Sequence, residues 1–300
     1  MPTKPTAKVR TTSKRVRTSD GCAPLREMYA RAVDAKPTSW GDVEEPYLRA
    51  LEQFDDLLVA GTADMGDLQN GKGDFFNDIL ALIVENCADV QIYSRRGVPG
   101  FIFTTHNLDV TYPNEGVAKF LAEAKALGTP KHPGSPKAGV LGRPGSADIK
   151  KRVTELAFKT IDLKVESARI EKVNTGGNLT TWLRTASPKT YLFVSARVIS
   201  DDDLAAVLLY AERAKEVLDG VGVFAFRLRS DQTPTRYEPV PAGMLPESLQ
   251  IARTLYRACQ DVSSVKGQIT PIPQEVVQEA LTLEAAEEAA AEDAEPEEGE

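Results

Sequence analysis

The chain has 300 residues, and its 42% apolar content is enough to bury a sizeable core in one large domain, alone or with appendages. No apolar stretch approaches the roughly 18 residues of a membrane span, and the N-terminus lacks the apolar core of a secretory signal, so no membrane partner is expected. Much of the net charge of −8 comes from the C-terminus. The body is only mildly acidic, which leaves a nucleic-acid partner open.

The cysteine and histidine content limits the metal and redox chemistry. Three cysteines, Cys22, Cys87 and Cys259, are widely spaced and form no Cys-x-x-Cys pair. This pattern argues against a disulfide framework or a zinc site and is typical of a reducing compartment, so a cytoplasmic location is expected. The chain has only two histidines, His106 and His132, which disfavours a histidine-based metal centre.

Composition divides the chain into three parts. Residues 1–20 hold six basic residues and one acid with almost no apolar content, which predicts a disordered basic arm. Residues 21–265 carry the apolar patterns of a folded domain. Residues 266–300 are expected to form a C-terminal helix and an acidic tail, since residues 284–300 contain nine acids and no base.

The first half of the body alternates helical and extended patterns. Apolar spacing predicts helices at 44–60 and 74–88, with a loop at 67–73 before the second helix. Strands are expected at 90–94, near 100–112 and near 117–126. The apolar runs 101–103 and 117–121 are typical of central strands that are buried on both faces.

A segment rich in glycine, proline and basic residues follows at 128–147 and is expected to be irregular. It has no acid before the helix that it enters, and the start of that helix is also basic. Seven side chains are therefore candidates for contact with DNA: Lys131, His132, Lys137, Arg143, Lys150, Lys151 and Arg152. The alternative interpretation is a mobile surface loop.

The second half of the body continues the mixture of helices and strands. An apolar series at 149, 153, 156, 157 and 161 predicts a helix. Paired strands are expected at 179–185 and 191–198, then a helix at 202–219, a strand at 221–229 and a helix near 246–260. This order predicts an α/β fold with a mixed central β-sheet flanked by α-helices.

The stretch from Leu108 to Lys125 carries the clearest chemical pattern. Asp109 lies at the end of an apolar, β-branched run, a Pro-Asn-Glu-Gly turn follows, and the next run carries Glu123 and Lys125. Alternate residues of a strand point to the same face, so Glu123 and Lys125 are expected side by side, with Asp109 across the turn. Two carboxylates and an ammonium in this arrangement suit phosphodiester hydrolysis with Mg²⁺, which prefers hard oxygen ligands.

Four acid-x-lysine tripeptides occur in the chain: Asp34-Ala-Lys36, Glu123-Ala-Lys125, Asp148-Ile-Lys150 and Asp162-Leu-Lys164. The first lacks a strand pattern, and the third opens a helical series in which the acid complements the helix dipole. The fourth, with Asp148 as its upstream acid, stays open as an alternative active site. Only the second has another acid across a turn. Its non-catalytic interpretation is an ordinary ion pair on a surface hairpin.

This hairpin resembles the core of the PD-(D/E)xK nucleases, the fold of most type II restriction endonucleases. The resemblance covers roughly residues 72–230, with an apolar helix at 74–85 before the strands and a longer helix and the strand 190–197 after them. It implies a restriction-endonuclease-like core, with Mg²⁺ held by Asp109, Glu123 and the backbone carbonyl of Ala124, and with Lys125 orienting the nucleophile. Glu85 matches a further metal-proximal acid on the first helix, and its alternative interpretation, a solvated helix end, stays open. Leu108 stands where the family name expects proline.

The resemblance implies a Mg²⁺-dependent type II site-specific deoxyribonuclease that cuts double-stranded DNA as a homodimer. Two alternatives stay open: a structure-specific repair or recombination nuclease of the same fold, and a non-catalytic DNA-binding protein in which Glu123 and Lys125 only pair. Substrate preference separates the first two, and Mg²⁺-indifferent binding without cleavage would identify the third. The recognition sequence and the cut position do not follow from residue spacing.

Overall fold

The computed structural model describes residues 22–62, 65–133, 139, 141–173, 179–230 and 236–268. The predicted basic arm, the acidic tail and Lys137 lie outside these ranges. The chain divides into the units Met1–Val265 and Lys266–Glu300. Only residues 266–268 of the second unit are described, as the end of a helix that begins in the first.

The described residues form seven helices of the α type and six strands. The helices are α1 Ala23–Ala35, α2 Glu44–Ala60, α3 Met65–Ala88, α4 Ser146–Ile170, α5 Leu179–Thr185, α6 Asp201–Ala214 and α7 Ile251–Gln268. The strands are β1 Tyr93–Val98, β2 His106–Tyr112, β3 Phe120–Leu127, β4 Lys189–Val198, β5 Gly220–Ser230 and β6 Arg236–Pro239. Two short 3₁₀ helices, Ala242–Met244 and Glu247–Leu249, precede α7. No helix in the described ranges is both long enough and apolar enough to cross a bilayer.

The strands form one mixed sheet in the order β1-β2-β3-β4-β5-β6. An antiparallel meander, β1 to β3, is followed by the parallel strands β3, β4 and β5, and β6 closes the edge in the antiparallel sense. The helix α4 makes the long crossover that two adjacent parallel strands require. The predicted α/β architecture, a mixed sheet flanked by helices, is confirmed.

Each face of the sheet is covered by helices with its own apolar core. One core joins α1, α2, α3 and α7 to the sheet through aromatic residues such as Tyr191, Phe193 and Phe224. The other core joins α4 and α6 to the opposite face through Leu192, Val194 and their neighbours. The face that carries α4 is the one that matters for the candidate site.

The predicted loop at 67–73 is helical, so that prediction was wrong. Gly71 lies inside α3 at a point where only a glycine leaves room for Cys22, the residue before α1: a Cβ added there would be 2.8 Å from the Cys22 sulfur. Lys72 is almost fully buried and pairs with Asp55 of α2. Contacts with the neighbouring helices therefore override the weak helix preference of two glycines.

Alanine at Gly71 and at Gly73 should have opposite effects on stability. A Cβ at Gly73 meets nothing within 4 Å, so Gly73→Ala should raise the free energy of unfolding by about 0.5–1 kcal/mol. Gly71→Ala gains the same helix preference but overpacks the contact with Cys22, which costs about 1–3 kcal/mol, so a net loss is expected. Urea unfolding of the two variants measures the difference. Equal stabilisation by both would contradict the close packing of α1 on α3.

The run 101–103 does not form part of a buried strand, contrary to the prediction. Phe101, Ile102 and Phe103 are 57%, 68% and 51% exposed in the loop between β1 and β2. The buried Asp162 carboxylate accepts the backbone N–H groups of Ile102 at 2.7 Å and Phe103 at 3.3 Å. These donors are therefore satisfied by a side chain of α4 and not by a neighbouring strand. The other run predicted to be buried, 117–121, does reach the core: Leu121 is fully buried.

The segment Leu179–Thr185 is a helix and not the predicted strand, although threonine and tryptophan favour strands. The buried Lys164 ammonium donates a hydrogen bond to the Leu183 carbonyl in the last turn of α5. A cation at this end satisfies a carbonyl that has no partner inside the helix and complements the helix dipole. The helical structure of α5 is thus accompanied by a contact from Lys164, which lies 19 residues before Leu183 in the chain.

Candidate functional site

The candidate site lies where β2 and β3 separate. The paired part of these two strands extends only from Tyr112, opposite Phe120, to Val110, opposite Ala122. Beyond that point β2 stays paired with β1 as far as His106, and β3 stays paired with β4 as far as Leu127. The sheet therefore opens between β2 and β3 at Asp109.

The Asp109 side chain bridges the opening. Its Oδ2 accepts the backbone N–H of Ala124 at 3.0 Å, a donor that the ladder with β2 no longer satisfies. The same oxygen lies 3.1 Å from Lys125 Nζ. Because the N–H and C=O of a strand residue face the same neighbour, the Ala124 carbonyl also lies on the β2 side.

Glu123 and Lys125 lie side by side on β3, as the alternation predicted. Lys125 Nζ donates to Glu123 Oε2 at 2.6 Å. The Glu123 side chain is only 4% exposed, whereas those of Asp109 and Lys125 are about a quarter exposed. The structure thus brings together all three residues of the predicted triad. Its buried glutamate distinguishes the cluster from an exposed surface ion pair.

Lys159 of α4 also reaches this cluster, and the sequence did not identify it. Its Nζ lies 3.0 Å from Glu123 Oε1 and 3.4 Å from the carbonyl of Asn107. Lys159 follows Leu156 by three positions and precedes Leu163 by four, so it shares their inward helix face. A lysine on the apolar face of a predicted helix is the signal that could have identified it.

The local charges determine the protonation of Lys125. Burial by itself would lower the pKa of Lys125, but the charges and hydrogen bonds of Glu123 and Asp109 outweigh burial and raise it above its usual value. Lys125 is therefore an ammonium at neutral pH, suited to donate hydrogen bonds and offset negative charge. Two acids and two lysines make the cluster neutral overall.

The donor set is of the kind that Mg²⁺ takes in proteins. Two carboxylates converge on one cationic atom, Lys125 Nζ, with the Ala124 carbonyl on the same side. Mg²⁺ needs only one or two carboxylates because it keeps several waters. In the described ranges no three His, Cys, Asp or Glu side chains are grouped closely enough to hold a metal ion. Glu85 accordingly does not join the two acids, and its Oε1 accepts the N–H of Ile92 at 2.8 Å.

The alternative site Asp148, Asp162 and Lys164 is not assembled. All three residues lie on α4, where positions two apart do not face each other. Asp148 pairs with Arg143 at 2.7 Å, and Lys164 is buried against Asp219 at 3.0 Å. Asp162 instead accepts backbone donors of the β1–β2 loop and lies 2.7 Å from His106 Nε2.

The candidate DNA-binding residues differ in their accessibility. Lys131, Lys150 and Lys151 are exposed. Arg143 is half exposed and is held by Asp148, while Arg152 pairs with Glu155. His132 is only 6% exposed, and burial lowers its pKa. It is therefore neutral and faces the protein interior, which makes it the poorest phosphate ligand of the described set.

The chain was compared with models of protein families, with curated proteins and with solved structures, and none of them matches it.

Proposed function

We propose that this protein is a Mg²⁺-dependent DNA endonuclease of the PD-(D/E)xK type. One observation carries the proposal: Asp109 and Glu123, on two strands that separate, converge on Lys125 Nζ at 3.1 and 2.6 Å. The order of elements agrees with the core that the resemblance implies. The helix α3, a meander of three strands, the long helix α4 and the parallel strand β4 follow in this order, with the short helix α5 inserted before β4 and the acids on the second and third strands.

Each residue of the cluster has a role in this proposal. Asp109, Glu123 and the Ala124 carbonyl would hold the metal. A bound Mg²⁺ would lower the pKa of its water and stabilise charge on the phosphoryl group. Lys125, kept protonated by its two acids, donates to the attacking water or to a phosphoryl oxygen and is not a general base. Lys159 holds the second oxygen of Glu123 and thereby fixes the orientation of that carboxylate.

Within this class, a type II restriction enzyme acting as a homodimer on double-stranded DNA is the form that we favour. Two copies related by a two-fold axis would match the symmetry of a duplex. Incubation with Mg²⁺ of unrelated linear duplexes, nicked duplexes and branched junctions separates the possibilities. Discrete fragments with one common end sequence support the restriction enzyme. Cleavage confined to nicks or junctions would replace it with a structure-specific nuclease.

A non-catalytic DNA-binding protein is the second candidate, and the charge balance favours it. Asp109 and Glu123 are already matched by Lys125 and Lys159, as expected for a structural ion-pair cluster. Such a protein would bind DNA equally well with Mg²⁺ or EDTA and cleave none of the substrates. Cleavage that requires Mg²⁺ excludes it.

Lys159 provides a sharper test of the cluster. Lys159→Ala should lower kcat by roughly 10–100-fold, the usual cost of losing a group that orients a metal ligand, with little change in KM. Lys159→Arg should recover part of the rate because it can still donate to Glu123. Steady-state kinetics on a cleavable duplex measures both variants.

Lys150→Ala is the comparison on the same helix, because no ion pair of Lys150 occurs in the described residues. Lys150→Ala should raise KM, because Lys150 is a candidate DNA contact, and should leave kcat close to the wild-type value. An unchanged kcat for Lys159→Ala would reject the positioning role of Lys159.

A further inference from the structure

Exposed apolar side chains are concentrated beside the triad. Five of the twelve large apolar side chains that are exposed in the described part of the chain lie on the β1–β2 loop and in the middle of α4. We call this surface the apolar patch, and its members are Phe101, Ile102, Phe103, Phe158 and Ile161. The first three are more than half exposed, and the two on α4 are 43% and 41% exposed. Single exposed apolar side chains are ordinary, whereas a contiguous group of them marks a binding surface.

The patch is continuous, and it adjoins the triad through α4. The rings of Phe103 and Phe158 meet edge to face, with their centroids 5.5 Å apart. Ile161 lies about one turn beyond Phe158 on the same helix. The residue after Phe158 is Lys159, whose ammonium is 3.0 Å from Glu123 Oε1. A ligand on the patch would therefore extend to the surface that surrounds the triad.

The loop that carries the three exposed residues is fastened to α4 by its backbone. The N–H of Gly100 donates to the Phe103 carbonyl at 2.9 Å. The N–H of Phe101 donates to the Asp162 carbonyl at 3.4 Å, and the Asp162 carboxylate accepts the next two N–H groups. Four consecutive donors are thus engaged on the protein side, which leaves the side chains facing outward. A loop held in this way loses little conformational freedom when a ligand binds.

The surface of α4 that leads to the patch is basic. Residues 143–159 hold five basic side chains and two acidic ones. Both acids already pair with arginines of this stretch, and Glu155 is also 3.8 Å from Lys151. A net positive charge remains, with Lys150 and Lys151 exposed. Lys151 precedes Phe158 by seven residues, about two turns, so the two lie on the same side of α4.

A second copy of this chain is the other occupant to consider, and the size of the patch disfavours it. At these exposed fractions, and with roughly 150–250 Å² for each large side chain, the patch offers about 400–650 Å² of apolar surface. A stable protein–protein interface buries about 800 Å² or more on each partner. Exposed rings next to exposed cations instead suit a single strand of nucleic acid, whose phosphates follow the cations while its bases stack on the rings.

We propose that the apolar patch stacks on unpaired bases of a nucleic-acid strand next to the scissile phosphate. The identification of the ligand as nucleic acid rests on the proposed function. Aromatic rings stack on every base, so the patch adds affinity without reading sequence. In a duplex, such bases are available at a nick, at a junction, or where apolar side chains wedge a base step open.

The test measures the binding of two fluorescein-labelled single strands by anisotropy in EDTA. One is a thymidine oligomer, and the other is an abasic oligomer of the same length, which keeps the phosphates and lacks the bases. Wild type should bind the thymidine oligomer roughly tenfold or more tightly than the abasic one. Phe101→Ala/Phe103→Ala should lose most of that preference and bind the abasic oligomer as wild type does. Phe101→Ala alone should lose a smaller share.

The salt dependence separates stacking from phosphate contact. Phe101→Ala/Phe103→Ala should leave the slope of log affinity against log salt unchanged, because it removes no charge. Lys150→Ala/Lys151→Ala is the charge comparison on α4. It should weaken the binding of both oligomers alike and make the slope shallower by about 1.4, as expected for the loss of two phosphate contacts with a single strand.

Leu209→Ala/Tyr256→Ala is the matched control, because it removes two exposed apolar side chains from α6 and α7. It should keep the wild-type preference for the thymidine oligomer, and an equal loss in this control would overturn the proposal. Equal affinity of wild type for the two oligomers, or an unchanged preference in Phe101→Ala/Phe103→Ala, would also overturn it. A wild-type dimer that this variant converts to a monomer in sedimentation would assign the patch to a second copy and reject base stacking.

The binding assay contains no metal and needs no turnover. A base preference that depends on the phenylalanines, in a protein that never cleaves DNA, would support the patch and reject the nuclease. Mg²⁺-dependent cleavage together with equal affinity for the two oligomers would do the reverse. The two proposals can therefore fail separately.

Discussion

Asp109→Asn is expected to slow Mg²⁺-dependent DNA cleavage by roughly 10³-fold or more. The amide keeps the shape of the side chain and can still accept the Ala124 N–H, but it removes the negative charge that faces Lys125 Nζ at 3.1 Å. Loss of a metal ligand costs several kcal/mol of transition-state stabilisation, and each 1.36 kcal/mol is about a tenfold change in rate. Single-turnover cleavage of a labelled duplex at saturating Mg²⁺ gives the rates.

The matched control is Asp34→Asn, which makes the same change in another acid-x-lysine tripeptide, at an exposed position on α1. Its cleavage rate should equal that of wild type. Duplex binding in EDTA should be retained in both variants, which separates a loss of chemistry from a loss of affinity. Cleavage by Asp109→Asn within tenfold of wild type would reject Asp109 as a metal ligand.

Lys72→Met should lower the free energy of unfolding by about 3–5 kcal/mol, as expected when one partner of a buried ion pair is removed. Lys72 Nζ is 3.1 Å from both oxygens of Asp55, which is fully buried. Burial lowers the pKa of Lys72, and the Asp55 charge counteracts that effect. Without Lys72, the Asp55 carboxylate still accepts a hydrogen bond from the Tyr237 hydroxyl at 2.5 Å, but it loses the ammonium that balances its charge. Urea unfolding monitored by circular dichroism measures the loss.

The double variant Asp55→Leu/Lys72→Met should recover part of that loss, because replacing both charges removes the unpaired buried carboxylate. Lys150, an exposed lysine on α4, provides the control. The free energy of unfolding of Lys150→Met should stay within about 0.5 kcal/mol of the wild-type value. A loss below 1 kcal/mol for Lys72→Met would contradict the buried pair. Since Lys72 also lies 3.5 Å from the Gly128 carbonyl, the pair supports the start of the segment after β3.

Local patterns predicted the elements whose burial is regular. The apolar stripe of α2 and the continuous β-branched and aromatic runs of β4 and β5 identified these elements to within a few residues. The triad followed from the same alternation, because positions two apart on a strand share a face whatever the rest of the fold does. The opening of the sheet at Asp109, which makes the site accessible, depends on where the β2–β3 ladder ends and has no local signal.

The errors arose where a distant side chain determines the local structure. Asp162 accepts N–H groups of the 101–103 run, and Lys164 donates to a carbonyl of α5. Both segments are rich in residues that favour strands, yet neither forms one. The helix α3 continues through Gly71, where Cys22 packs too closely to leave room for a side chain. Lys159 reaches Glu123 across 36 positions of sequence. Each contact becomes predictable only when the packing of α4 or of α1 is known.

Mg²⁺ titration of supercoiled plasmid cleavage tests the central claim most directly, since it asks whether the Asp109 and Glu123 cluster performs metal-dependent hydrolysis at all. The rate of conversion to nicked and linear forms should be zero in EDTA, rise with Mg²⁺ to a plateau, and vanish in Asp109→Asn at every concentration. Plasmid that stays closed and supercoiled at all Mg²⁺ concentrations, or cleavage that is indifferent to the metal, would contradict it.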